Sequence, residues 1–179
     1  MKYILLLFCL FLSACGFHMR SSVDFPTQLR QVYFSSVAPY GWLSVQLKEL
    51  LSSVKVKFSP QQKDVTYSIR VTSDDFSDSK PSEIDATLPT AIEFTKSTSV
   101  EIINNHTRKV LIQKSFSVSE SLTLNANQIY ANNANAVVKQ ALNRELISLI
   151  YYWLISTDVQ EALADDAKHS KKSLPLDQR

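Results

Sequence analysis

Three stretches in the middle of this chain alternate apolar and polar side chains, and no other feature restricts its fold as strongly. Val65, Tyr67, Ile69 and Val71 are interleaved with Thr66, Ser68, Arg70 and Thr72. Farther on, Ile92, Phe94, Thr98, Val100 and Ile102 share one parity, and Val110, Ile112, Phe116 and Val118 share another. A period of two sends successive side chains to opposite faces of a strand, so each stretch reads as a strand with one buried face. Residues 28–36 read the same way, with Val32 and Phe34 on one side and Tyr33 on the other. Asn104-Asn105-His106-Thr107 is turn chemistry, because Asn tolerates left-handed backbone angles. The strands on either side of it are predicted to form a hairpin.

Two segments have the other periodicity. Over 40–54, after Pro39, the residues Leu43, Leu47, Leu50, Leu51 and Val54 recur at steps of three and four, with Lys48 and Glu49 off the stripe. Over 127–157 the stripe is Ala134, Val137, Val138, Ala141, Leu142, Leu146, Leu149, Ile150, Trp153 and Leu154. Both read as amphipathic helices. Val56 and Phe58 read as a short extended piece. Residues 74–90 read as a loop or irregular edge, with Phe76 prolonging the strand before it. After Asp158 the apolar partners give way to charges, which predicts a frayed or disordered tail. The expected order is β-α-β-β-β-α. It makes an α+β two-layer sandwich, with a four-stranded mixed sheet covered on one face by two helices. Strands one and two should be parallel through a right-handed crossover, and strands two to four an antiparallel meander.

The N-terminus carries a different kind of signal. Lys2 is followed by an apolar run over 3–12 and then by Ser13, Ala14 and Cys15. One cation, a short apolar stretch and small residues at the cut form a secretory signal. The run is too short for a bilayer span, which takes roughly 20 apolar residues. Leu12-Ser13-Ala14-Cys15 resembles the bacterial lipobox, in which the cysteine is acylated and the signal is removed before it. The expected organisation is therefore a cleaved signal over 1–14, one periplasmic domain over 15–157 anchored through lipid on Cys15, and a charged tail over 158–179. Acyl chains contribute about 0.8 kcal/mol per buried methylene, so several chains hold a protein firmly. Gly16, rather than Asp, follows the cysteine, which points to the outer membrane.

Composition removes several function classes. Lys plus Arg is 19 against 17 Asp plus Glu, a balance with no electrostatic drive toward nucleic acid. Cys9 would leave with the signal and Cys15 would become a thioether, so no cysteine nucleophile, disulfide or cysteine metal site is expected. The two glycines, Gly16 and Gly41, cannot build a phosphate loop or a dinucleotide fingerprint. No serine sits in a nucleophile elbow. His18, His106 and His169 have no metal-ligand spacing. Asp74, Asp75, Asp78, Glu83 and Asp85 form one acidic cluster. A solvated loop is favoured there over a calcium site, because a calcium loop usually needs a glycine for its turn. The covalent lipid on Cys15 is the only expected attached group.

Cys15-Gly16-Phe17-His18-Met19-Arg20 looks like the mature start of the lipopolysaccharide-assembly lipoprotein LptE family. The element order and the long C-terminal helix also resemble that family. The resemblance implies a non-enzymatic plug inside the lumen of an LptD-like outer-membrane β-barrel, assisting assembly of the barrel and insertion of lipopolysaccharide into the outer leaflet. It implies three partners: the barrel, lipopolysaccharide and the membrane that holds the anchor. The other readings are an accessory lipoprotein of another envelope machine and an anchored periplasmic enzyme, for which no nucleophile–base pair is visible.

Lipopolysaccharide is an anionic amphiphile, so cations beside apolar surface suit it. Lys96 and Lys114 fall on the apolar parity of their strands, while Arg70 and Arg108 lie on the opposite parity or near the hairpin turn. These four are the candidate lipopolysaccharide contacts; the plain alternative is that the lysines snorkel at sheet edges. Some family members carry a basic residue before the last helix, where this chain has Asn125-Ala126-Asn127-Gln128. Residues 147–155 are apolar almost all round, more than one stripe requires. That surplus is either a deeply buried helix end or a docking patch, and Tyr40, Trp42, Tyr151 and Tyr152 are the candidate barrel contacts.

Overall fold

The computed structural model describes residues 25–79, 90–124 and 132–172. Cys15 and the rest of 1–24 lie outside the described residues, as do Glu83, Asp85 and residues 125–128. In chain order the elements are β1 (Gln31–Ser36), α1 (Trp42–Ser53), β2 (Lys57–Phe58), β3 (Tyr67–Ser79), β4 (Thr90–Asn104), β5 (Lys109–Leu124), α2 (Asn132–Leu154) and α3 (Thr157–Lys172). The strands form one mixed sheet in the order β2-β1-β3-β4-β5. β1 runs parallel to both β2 and β3, and β3-β4-β5 is the antiparallel meander.

The α+β class, the parallel start and the meander agree with the sequence expectation. Two features correct it. The sheet has five strands rather than four, because Lys57 and Phe58 pair with Gln31 and Val32. Among the described residues there are three helices rather than two, because residues 157–172 form α3 instead of a disordered tail. The reason is sparse but deep burial. Val159 and Leu163, four residues apart and so on one face of the helix, are fully buried.

The helices pack on one face of the sheet. Leu43, Leu47 and Leu51 of α1 and Leu142, Leu146 and Ile150 of α2 are buried against Ile69, Val71, Phe94, Val100 and Ile102. Each such side chain contributes roughly 1.5–3 kcal/mol on leaving water. Most of the apolar surplus near the end of α2 is used internally. Trp153 meets Phe116 edge-on at 5.7 Å, and Tyr151 stacks on Phe25 of the lead-in at 6.4 Å. No helix among the described residues is long and apolar enough to cross a membrane.

α3 is held to the sheet by polar groups as well. The Tyr67 hydroxyl donates to Asp166 Oδ2 at 3.1 Å, and Asn104 Nδ2 donates to the same oxygen at 2.7 Å. Asn104 also accepts from the backbone N–H groups of His106 and Thr107, bracketing the hairpin turn. Asn105 works on the opposite side. It accepts from Ser68 and Gln62 and donates to the carbonyls of Gln62 and Val65. The left-handed residue of the turn is therefore neither asparagine but Arg108, at φ 58°.

Two expected outcomes follow from α3. Leu163→Ala should lower the unfolding free energy by about 2–4 kcal/mol in a denaturant titration, whereas exposed Glu161→Ala should shift it by less than about 0.5 kcal/mol. Burial, together with the Asp166 carboxylate, pushes the Tyr67 phenol up from its ordinary 10.0 to about 12. A folded-state value above the unfolded one means the contribution is complete below pH 10 and is lost between pH 10 and 12. The stability advantage of the wild type over Tyr67→Phe should shrink across that window by about 1.4 kcal/mol per pH unit.

Candidate interaction surfaces

The sheet face opposite the helices is bare among the described residues and carries mostly hydroxyls. The parity that buries Phe94, Thr98 and Val100 turns Thr95, Ser97 and Ser99 outward. Their neighbours across β5 are Ser119, Ser117 and Ser115, and across β3 they are Ser77, Asp75 and Ser73. Thr95 and Ser119 share a hydrogen bond of 2.8 Å, as do Ser99 and Ser115. Hydroxyls both donate and accept, so this face can meet water or another polar wall without leaving a group unpaired.

At the hairpin end the same face dips into a depression of about 500 Å³ lined by Gln62, Lys63, Arg70, Ile103, Asn105, Arg108 and Val110. Here the structure joins two of the predicted cations, Arg70 and Arg108. It adds Lys63, which the sequence reading did not single out because it lies in a short turn outside every strand. Arg70 is half-exposed and stands 3.7 Å from Glu101, a loose pair worth little in water. The floor is apolar because of a second correction. Ile102 faces Ile112 but Ile103 faces Val110, so Leu111 is an extra residue in β5. The bulge moves Val110 off the core parity that the sequence assigned to it and sets it beside Ile103.

Lys96 does not stand on any such surface. It is 2% exposed and ion-paired with Asp74, itself largely buried. The expectation that Lys96 meets a lipid phosphate is corrected, and the reason is a bulge between Val71 and Ser73. Unbroken alternation from Val71 would send Asp74 to the bare face. The extra residue turns it to the helix side, where it neutralises the lysine. Of the acidic residues that are described, Asp74 points into the helix layer while Asp75 faces out. Lys114 stays exposed at the margin of β5, its Nζ 5.8 Å from the Phe116 ring centre, which is the snorkelling arrangement.

The aromatic candidates divide likewise. Tyr40, just before α1, is 94% exposed and Tyr152 is 66% exposed. Trp42 is partly buried against the core, and Tyr151 is half-buried on Phe25. Only Tyr40 and Tyr152 remain as open aromatic surface among the four.

Comparison with known proteins bears on the fold. No protein-family model and no curated protein matches the chain. Solved structures do match. A minor lipoprotein from Acinetobacter baumannii is 16% identical, covers 71% of this chain and 91% of its own, and superposes with a TM-score of 0.56. Lipoprotein B from Nitrosomonas europaea, solved by NMR, is 12% identical, with 76% and 90% coverage and a TM-score of 0.54. The chain has the fold of these bacterial lipoproteins. That fold likeness agrees with the resemblance carried by Cys15 to Arg20.

The buried ion pair gives a test of the corrected register. Asp74→Ala leaves the Lys96 ammonium without a counter-charge and should cost about 3–5 kcal/mol in urea unfolding. Asp74→Leu combined with Lys96→Met should recover most of that loss, because an apolar pair needs no compensation.

Proposed function

We propose that this chain is a non-enzymatic outer-membrane lipoprotein of the lipopolysaccharide-assembly type, anchored through Cys15, that sits within a large β-barrel and assists its assembly and its delivery of lipopolysaccharide. The observation that carries the plug reading is the two-sided character of the sheet. Most of the apolar burial is on the helix side, and away from Ile103 at the hairpin end the other face is a broad polar surface of hydroxyls. The interior of a large outer-membrane barrel is polar. A polar, hydroxyl-bearing face suits such a wall better than an apolar face would.

The lipoprotein fold and the Cys-Gly-Phe-His-Met-Arg start support the family reading. The depression with Lys63, Arg70 and Arg108 over Ile103 and Val110 supports contact with an anionic amphiphile, since it puts cations beside apolar surface. Arg70 and Arg108 keep their assignment as lipopolysaccharide contacts, Lys96 loses it, and Lys114 is left as a marginal one. Tyr40 and Tyr152 are the remaining aromatic contacts for the barrel.

The test is recovery of the full chain from envelopes in mild detergent. A large β-barrel protein should come with it, and depletion of the chain should lower surface lipopolysaccharide while other barrels keep their normal amounts. Extraction of the chain alone from envelopes in which the barrel is intact would sink the plug reading. General loss of barrels on depletion would instead favour a role in barrel assembly at large.

A further inference from the structure

We propose that the outer edge of β1 takes up an extended segment of the barrel protein as one more strand, with alternate side chains of that segment lying toward α1. The inference deepens the plug reading and rests on it, because it says how one part of the barrel is gripped. β2 pairs only with Gln31 and Val32. Beyond Val32 no strand lies on that side of β1 among the described residues. Proline has no N–H to continue a ladder, and Pro60 stands just after β2. The Ser59 hydroxyl donates to the Gln61 carbonyl as the chain turns away. The hydrogen bonds fix which groups are left over. Lys57 N–H donates to the Arg30 carbonyl and Ser59 N–H to the Val32 carbonyl, whereas Val37 N–H donates to the Val71 carbonyl of β3. Even-numbered residues therefore turn their backbone groups outward, and odd-numbered ones turn them toward β3. Phe34 and Ser36 are even, so their N–H and C=O groups stand at the edge with no strand to meet them.

An open edge invites pairing unless inward-pointing charges guard it. The opposite edge of the sheet is guarded, since Lys114 and Glu120 of β5 lie across from buried Val100 and Phe94 on the core-side parity. The same parity of β1 carries Val32, Phe34 and Ser36, and none of them is charged. Apolar surface gathers beside this edge instead. Val37 is 62% exposed and Val45 39%, next to the open Tyr40. Phe34 and Phe58 are half-buried and meet edge-on at 5.9 Å. A depression of about 690 Å³ runs along α1 from Pro39 and Tyr40 past Val45 and Lys48 to Ser52. Lys48 joins depression and edge, its Nζ 5.8 Å from the Phe34 ring centre and 5.5 Å from that of Phe58. It has no ion pair among the described residues, and its neighbour Glu49 accepts from the Gln46 amide. Free main-chain groups select a strand, the apolar margin selects apolar side chains, and the unpaired ammonium selects a carboxylate. The occupant is thus an extended segment, apolar at alternate positions and acidic opposite Lys48. A lipid headgroup could answer the ammonium but not the main chain. A chain enclosed by a barrel meets the loops of that barrel first.

The test is amide exchange, resolved residue by residue, on the full chain recovered with the barrel in mild detergent and on the full chain alone in the same detergent. In the complex the Phe34 and Ser36 amides should slow by roughly tenfold or more, while Tyr33 and Ser35, already turned to β3, change less. Phe34→Ala keeps the outward N–H and should keep the protection of Ser36. Phe34→Pro lacks that N–H and should lose it, at a position where an edge tolerates proline. Lys48→Glu should reduce the protection several-fold, and Lys48→Arg should not. Thermal unfolding will show that each variant folds. Lys48 is exposed, so its variants keep the test decisive if a Phe34 variant does not fold. Several outcomes overturn this inference and leave the plug reading intact. They are equal slowing at all four residues, none at Phe34 and Ser36 in a complex that holds the barrel, and protection unchanged by Phe34→Pro or by Lys48→Glu. Recovery of the chain alone from envelopes with an intact barrel overturns both.

Discussion

The rest of the structure depends on one asymmetry: the sheet has a single apolar face. Ile69, Val71, Phe94, Val100 and Ile102 lie on it, and between them on the other face stand Arg70, Ser99, Glu101 and Ser97. Water removal acts on the first set alone, so α1, α2 and α3 gather on that side. The opposite face is left to hydroxyls that satisfy one another or solvent. Among the described residues β5 is the last strand of the sheet, and α3 lies beside it near the hairpin.

Two single-residue bulges decide where the charges go. The one after Val71 brings Asp74 into the helix layer beside Lys96 and makes an ion pair of what would otherwise be a costly buried cation. The one at Leu111 sends Val110 to the bare face, where with Ile103 it floors the depression that Lys63, Arg70 and Arg108 surround. One bulge removes a cation from the candidate surface and the other gives the remaining cations an apolar neighbour. Arg108 reaches its place in a left-handed conformation, at a cost of roughly 1–2 kcal/mol for an L-residue. The two asparagine side chains that grip either side of the turn hold it there.

The sheet–helix architecture is shared with bacterial lipoproteins of very low sequence identity. The physical reason is that binary patterning and element order specify this sandwich, while the identity of each apolar residue is free within volume limits. What distinguishes one such chain from another is therefore carried on the outside: the hydroxyl face, the cations at the hairpin end, the exposed Tyr40 and Tyr152, and the open edge of β1.

By itself the sequence determined the strand and helix periods, and so the meander, the parallel start, the first two helices and the one-sided core. It also determined the lipobox-like start at Cys15 that points to an envelope lipoprotein. These were legible because period two and period 3.6 are local properties of a dozen residues. Only the tertiary structure decided that Val159 and Leu163 find a buried site, since two apolar residues among charges form no visible stripe. Only it decided which face Asp74 and Val110 occupy, because a bulge shifts every later side chain and leaves no mark in an alternating pattern. Lys96 stood on the apolar parity in the sequence and is buried there; what the pattern hid was its partner Asp74, which the bulge turns to the same side. The fate of a charge is set by what folds against it, and that neighbour lies in another strand.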